Sequence, residues 1–251
     1  MTSDIDFKVY AFILVSRGNA LHFSALFEYH DSMIIWFATG NVHKKEELAA
    51  ILNANGGTSL YEIKIPTDAG LDFDPEETGT SFHENALLKA RELRRLLAER
   101  RPPRYSPGDP VIADDSGLCV DALNGRPGIF SARYAGVANN AANGKKLESA
   151  ERNALLLAEL GDNPQRSARF VCAMAMLLGE DRFHLAQETA EGEIVTRAEH
   201  ARGSGGFGYD PIFFIPKLGR TMAELSEDQK NRISHRGKAG RAIADILQNR
   251  M

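Results

Sequence analysis

MIIWFATGNVHKKEELAAIL runs from Met33 to Leu52. Its first part, Ile34 to Thr39, is short, apolar and rich in β-favouring residues, the composition of a buried strand. Gly40 ends that run. From His43 to Asn53 the apolar positions Leu48, Ile51 and Leu52 recur at helical spacing, and Gly56-Gly57 follows as a stop. A strand that turns sharply into a helix places the chain in the α/β class.

The rest of the chain extends the pattern. Leu60 to Ile65 alternates as a strand does, until Pro66. A polar loop with Asp72, Asp74, Glu76 and Glu77 comes next. Ser81-Phe82-His83-Glu84 has the form of a capping box, so a helix should start there. Ala86, Leu87, Ala90, Leu93, Leu96 and Leu97 form its apolar face, and Pro102-Pro103 ends it. Pro110 to Ala113 reads as a strand running into Asp114-Asp115-Ser116-Gly117, and Leu118 to Val120 resumes it. Asn124 to Asn143 reads as loop and Leu147 to Leu160 as helix. Arg169 to Leu178 and Phe183 to Glu188 read as strands joined by a turn at Gly179-Glu180-Asp181. Gly192 to Thr196 reads as a further strand, Gly203 to Gly208 as a loop, Ile212 to Ile215 as a strand and Ser234 to Leu247 as the last helix. Helices alternate with strands early and strands cluster later, which predicts a mixed α/β sheet.

The 251 residues suffice for a buried core, and 43% hydrophobic with 25% charged residues is ordinary globular usage. The net charge of −4 gives no global sign of nucleic-acid binding. Cys119 and Cys172 form neither a disulfide framework nor a metal-ligand spacing, which points to a reducing, cytoplasmic setting. Residues 1–32 differ from the rest. They hold Lys8 and Arg17 against Asp4, Asp6, Glu28 and Asp31, and the apolar run Val9 to Val15 is far shorter than the roughly 20 residues a membrane span needs. The expectation is an N-terminal extension over 1–32, one domain over 33–251, and no membrane partner.

Four constellations could carry chemistry. Thr39-Gly40-Asn41-Val42-His43-Lys44 puts a tight turn at a helix start, where free N–H groups and Lys44 favour phosphate. The plain alternative is a strand–turn–helix joint with Asn41 as cap. Asp114-Asp115, costly to bury unpaired, would suit Mg²⁺, with Glu76-Glu77 to complete the oxygen set. The plain alternative is a turn with solvated acids. In an extended chain the two aspartates point to opposite sides, so at most one would face a metal. Gly205-Gly206-Phe207-Gly208-Tyr209-Asp210 offers Phe207 and Tyr209 as stacking rings for a base, or else is a hinge with aromatics docked in the core. Lys230 to Arg241 is basic, either an anion site or a solvated helix face, the latter being the expectation for Lys238 and Arg241. Together the parts describe a nucleoside triphosphate cleaved by metal-assisted attack of water on phosphorus.

Six segments resemble one family. They are TGNVHK at Thr39–Lys44, EETGTSFHENALLKA at Glu76–Ala90, ADDSGL at Ala113–Leu118, GIFSARYAG at Gly128–Gly136, GFGYDPIFF at Gly206–Phe214 and SHRGKA at Ser234–Ala239. The family is the non-standard purine nucleoside triphosphate pyrophosphatases, also called inosine triphosphatase or Ham1-like. The resemblance covers Met33 to about Asn249 and implies hydrolysis of ITP, dITP and XTP to monophosphate and pyrophosphate with Mg²⁺. It implies a long mixed β-sheet with flanking helices, two lobes around a central substrate cleft, and a homodimer. By motif, Thr39 to Lys44 and Lys89 would meet phosphates, and Glu77 and Asp115 would bind Mg²⁺ with Asp115 as proton acceptor. Ser116 would touch substrate, Phe207, Gly208, Tyr209 and Asp210 would lie over base and sugar, and Lys230, His235 and Arg236 would read or hold the base. Two rivals stay open: a Maf-like pyrophosphatase of other modified nucleotides, and a nucleotide-binding module without turnover.

Overall fold

Side chains on the first strand alternate between two apolar layers, and that alternation organises the molecule. In the computed structural model, which describes residues 32–54, 60–135, 147–179 and 182–249, β1 (Met33–Phe37) is the second strand of a seven-stranded sheet. Ile35 and Phe37 point to one face and meet Leu48, Leu52, Ile243 and Leu247 from α1 (Val42–Leu52) and α5 (His235–Gln248). Ile34 and Trp36 point to the other and meet Ala86, Ala90, Leu93 and Leu97 of α2 (Phe82–Arg100). Fully burying one such Leu stabilises the fold by about 1.5–3 kcal/mol. Residues 1–31 of the expected 1–32 extension, the Gly56-Gly57 stop, residues 136–143 of the expected Asn124–Asn143 loop and the Glu180-Asp181 turn lie outside the described residues.

The sheet order is β2-β1-β3-β4-β5-β6-β7. Strands β2 (Tyr61–Lys64) and β3 (Val111–Val120) flank β1 in parallel. Beyond β3 every pairing is antiparallel, through β4 (Ser167–Leu178), β5 (Arg182–Ile194), β6 (Phe213–Ile215) and β7 (Arg220–Thr221). The mixed sheet is the expected one. A third core lies around Leu118, Val120, Phe170, Ile194, Phe213 and Met222, closed by Leu156 and Leu160 of α3 (Ser149–Leu160).

Two local readings are corrected, and one helix is added. Strand β3 does not break at Asp114–Gly117, because each of these residues keeps its partner on β4, Asp114 opposite Met174 through Gly117 opposite Val171. Gly192 to Thr196 is not a separate strand, since β5 runs unbroken to Ile194. Gly192 is a point of close packing, because a Cβ there would lie 2.5 Å from the Phe214 carbonyl and 2.6 Å from the Phe213 ring. A short helix, α4 (Glu227–Ile233), precedes α5; Ser226 caps it, accepting from Gln229 N at 3.3 Å.

Candidate active site

The segment Asp114–Gly117 lies between cores. Val111, Ile112 and Ala113 before it pack into the first two apolar layers, and Leu118 and Val120 after it pack into the third. The pleat of β3 then sends alternate side chains to opposite faces. Asp114 meets groups from α1 and α5, and Asp115 meets groups from α2.

On the α2 face, Lys89 Nζ donates to Glu77 Oε1 at 2.9 Å and to Asp115 Oδ1 at 2.8 Å. One ammonium thus bridges two carboxylates that come from different parts of the chain. Asn85 Nδ2 lies 3.4 Å from Asp115 Oδ2, and Arg133 donates to Glu77 Oε2 at 2.6 Å. The helix that carries Lys89 and Asn85 is fixed at its start by Ser81 Oγ, which accepts from Glu84 N at 3.2 Å. Glu84 itself reaches back to Thr80 N at 2.6 Å. Burial holds the Asp115 carboxyl above the usual range, against the pull of Lys89. Burial also acts on Glu77, but Lys89 and Arg133 outweigh it and hold that carboxyl below the usual range. Burial lowers and the aspartate charges raise the Lys89 ammonium, and the charges win.

On the opposite face the charges form a chain. Asp114, 1% exposed, accepts from Lys44 Nζ at 2.9 Å and from Arg236 Nη2 at 3.0 Å. Arg236 Nη1 donates to Glu47 at 2.6 Å, and Glu47 lies 3.2 Å from Lys230 Nζ. Lys230 Nζ donates to Asp210 Oδ2 at 2.9 Å, and Asp210 Oδ2 accepts from Phe207 N, also at 2.9 Å. Burial raises and the neighbouring Lys44 and Arg236 lower the Asp114 carboxyl, and it is held far below the usual range. For Asp210 burial wins over Lys230, and its carboxyl is pushed up. His235 is buried and stacks on Phe170 with 4.8 Å between ring centroids. Burial and the charges of Arg236 and Lys230 push its imidazole well below the ordinary value, so it is neutral.

At the Thr39–Lys44 turn, Asn41 caps α1. Its Oδ1 accepts from His43 N at 2.9 Å and Lys44 N at 3.4 Å, and Thr39 Oγ1 accepts from Asn41 N at 3.1 Å. Gly40 and Val42 are exposed, while His43 leans on Glu46. Ser116 Oγ donates to Asp114 at 2.9 Å.

The Gly206–Asp210 loop treats its two rings differently. Phe207 is exposed and lies over Lys230 and Arg236, 4.8 and 5.5 Å from ring centroid to charge. Tyr209 is 4% exposed, packs in the third core and donates its hydroxyl to Ser131 O at 2.9 Å. Phe207 is therefore the ring of this loop that can meet a base. Gly206 and Gly208 have positive φ, and a Cβ on Gly206 would strike Asp210 Oδ2 at 2.0 Å. A cavity of about 550 Å³ lies beside the loop, lined by Asn153, Ala154, Leu157, Ala201, Phe207 and Pro211. It borders Phe207 but not the β3 carboxylates.

Arg241 is exposed, as expected of a solvated face, while Lys238 is half-buried and departs from it. Lys238 Nζ donates to Thr189 O at 2.6 Å, and Arg241 binds the carbonyls of Asn231 and Arg232 at the end of α4. Sequence reading passed over Glu47, Asn85 and Arg133. Glu47 had a signal: it stands three residues after Lys44, on the same face of α1. Arg133 and Asn85 sit in motif segments but meet their partners through the fold alone.

Sheet order and site together define an α/β protein organised around one carboxylate-bearing interior strand, β3. The chain belongs to the Ham1 family, whose sequence profile matches residues 35–246. It is 48% identical over 216 residues to a Treponema denticola protein named dITP/XTP pyrophosphatase, covering 86% of this chain and 99% of that one. An Escherichia coli K12 protein of the same name is 44% identical over 215 residues, covering 84% and 96%. Among solved structures, the Staphylococcus aureus Ham1 protein superposes with a TM-score of 0.69 at 38% identity, covering 87% of this chain and all of its own. A HAM1 protein from Coxiella burnetii gives 0.69 at 37% identity, over 86% and 99%.

Proposed function

We propose that this chain is a hydrolase that cleaves non-standard purine nucleoside triphosphates, ITP, dITP and XTP, to the monophosphate and pyrophosphate, and so removes them from the nucleotide pool. The relatives' names give the substrate class. The observation that carries the reading here is the pair of carboxylates, Glu77 and Asp115, facing one another across a single ammonium. A position that already attracts a cation between two oxygen donors fits Mg²⁺, which prefers carboxylates plus water and substrate phosphates to an all-protein cage. Among the described residues no group of three or more His, Cys, Asp or Glu side chains could hold a metal alone. When bound, Mg²⁺ would neutralise phosphate oxygens and polarise the scissile phosphorus.

The chain's own residues do the rest. Asp115, with its carboxyl held up by burial, orients water and takes its proton. Lys89 and Lys44 offset charge on the leaving pyrophosphate. The Thr39–Lys44 turn and Ser116 hold the phosphate end. Phe207 stacks on the base, with Gly208, Tyr209 and Asp210 shaping its loop. Lys230, neutral His235 and Arg236 present donors to the 6-oxo group, and a site built on such hydrogen bonds discriminates by about 10⁴-fold or more. The substrate cleft would follow the polar segment of β3 between the cores. The same reading makes residues 33–251 the catalytic domain and the protein a cytoplasmic homodimer. Among the described residues no helix is long and apolar enough to cross a membrane.

The test is pyrophosphate release across ITP, dITP, XTP, ATP, dUTP and m5UTP, with and without Mg²⁺. Release confined to the 6-oxo purines and dependent on Mg²⁺ is expected. Faster release from the pyrimidine nucleotides, or none from any, would overturn the reading.

A further inference from the structure

Asp114 has no role in the chemistry just described. It is not free to take one. Its carboxylate accepts from Lys44 Nζ (2.9 and 3.1 Å), Arg236 Nε (3.1 Å) and Nη2 (3.0 Å), and Ser116 Oγ (2.9 Å). With 1% exposure and these five contacts, it has no room for water or a metal. It also lies on the face of β3 opposite Glu77 and Asp115.

Each of its three partners is a group the proposed function assigns to substrate. Lys44 stands at the phosphate turn, Arg236 at the base, and Ser116 beside the reacting end. These come from α1, α5 and β3, and 70 to 122 residues separate Lys44 and Arg236 from Asp114. A guanidinium has five N–H donors in a planar fork. Asp114 takes Nε–H and one Nη2–H, and Glu47 takes one Nη1–H. One N–H on each Nη remains, and the fork's plane is fixed by Nε and Nη2, which both donate to the single oxygen Asp114 Oδ2, and by Nη1 on Glu47. Two donors held in one plane can serve adjacent acceptors such as O6 and N7 of a 6-oxo purine, and meet a donor in a 6-amino purine.

We propose that Asp114 is a positioning residue for nucleobase selection: it fixes the plane of Arg236 and its offset from Lys44, so that base and phosphate are read from one rigid frame. The proposal rests on the pyrophosphatase reading, and its test keeps the two separable. Pyrophosphate release from ITP by the unaltered full-length chain is scored first, and failure there counts against the function alone. Binding of IMP and AMP is then measured by calorimetry, with no turnover needed. Asp114→Asn, which keeps the shape and removes the charge, should compress the IMP-over-AMP preference by about tenfold or more, the loss expected when a polar recognition group is misaimed. In kinetics its KM for ITP should rise more than its kcat falls, whereas Asp115→Asn should lose kcat.

If Asp114→Asn does not fold, Asp114→Glu keeps the charge and displaces it by one methylene, and should lower the same preference. On an Arg236→Lys background, which lacks the fork, Asp114→Asn should change the preference no further. An unchanged preference in a folded Asp114 variant, or additive losses on the Arg236→Lys background, would overturn the proposal.

Discussion

Gly117, on the strand that carries the two aspartates, packs directly against backbone, and Gly117→Ala is a direct test of the architecture. A Cβ there would lie 2.2 Å from Gly128 O, 2.6 Å from Ser131 Oγ and 2.9 Å from a Phe82 ring carbon. The first is backbone, so the Gly128–Arg133 turn must move. Ser131 Oγ both donates to Gly128 O at 2.6 Å and accepts from Leu118 N at 2.8 Å, so the shift also strains a buried hydrogen bond. Overpacking costs about 1–3 kcal/mol. Orphaning the Leu118 N–H adds about 1–3 kcal/mol. Lower entropy of the unfolded chain returns about 0.4–1 kcal/mol. The net loss is about 3 kcal/mol, and for a domain of this size each kcal/mol lowers Tm by about 2–4 °C. A fall of about 6–12 °C is expected in a circular-dichroism melt. Gly108→Ala, where the nearest atom to a new Cβ is 3.9 Å away, is the control. A Gly117→Ala melt within about 2 °C of the parent would show that the turn is not held against β3 as described.

Asn41→Ala removes the acceptor for His43 N and Lys44 N and should cost about 1 kcal/mol, read by urea unfolding; unchanged stability would mean that the turn holds itself. A chain starting at Met33 should keep its full rate of pyrophosphate release from ITP, and loss of activity or folding would show residues 1–32 to be structural. Stability should fall on acidification in two stages. His235, held below its ordinary value, resists a proton that the unfolded chain accepts, so loss begins below about pH 6.5. Asp114, Glu47 and Glu77, also held low, contribute stability above about pH 4 that disappears as pH falls further. Asp115 and Asp210, held high, contribute in the opposite sense, fully at low pH and less as pH rises through their folded values. Thermal melts from about pH 8 to about pH 2 test the sum, and a Tm that stays level over that range would refute it.

Local rules were legible in the residues. Asn41 and Ser81 cap helices as their types and spacing require, and the first strand and its turn stand where the apolar run ends. That Asp114 and Asp115 face apart followed from the pleat alone. What escaped reading depends on distant partners. Gly192 looked like a break because its neighbour Phe213 is supplied by another strand. Tyr209 and Phe207 share one motif, yet only the third core decides that Tyr209 turns inward. Asp114 and Arg236 are 122 residues apart, and no local pattern announces that they share a bond. Glu47 drew no reading on α1, because its partners Arg236 and Lys230 arrive from the other end of the chain.

The unbroken register of β3 against β4 has a consequence for how this protein can change length. Ten consecutive residue pairs lock the two strands. Deleting or inserting one residue in β3 ahead of Asp114 would exchange the faces of the two aspartates, because strand side chains repeat every two positions. Asp115 would then turn to the face that holds Arg236, and Asp114 to the face that holds Lys89. Side chains here can be exchanged one at a time and their cost measured, but a single-residue indel would rewire both charge systems at once.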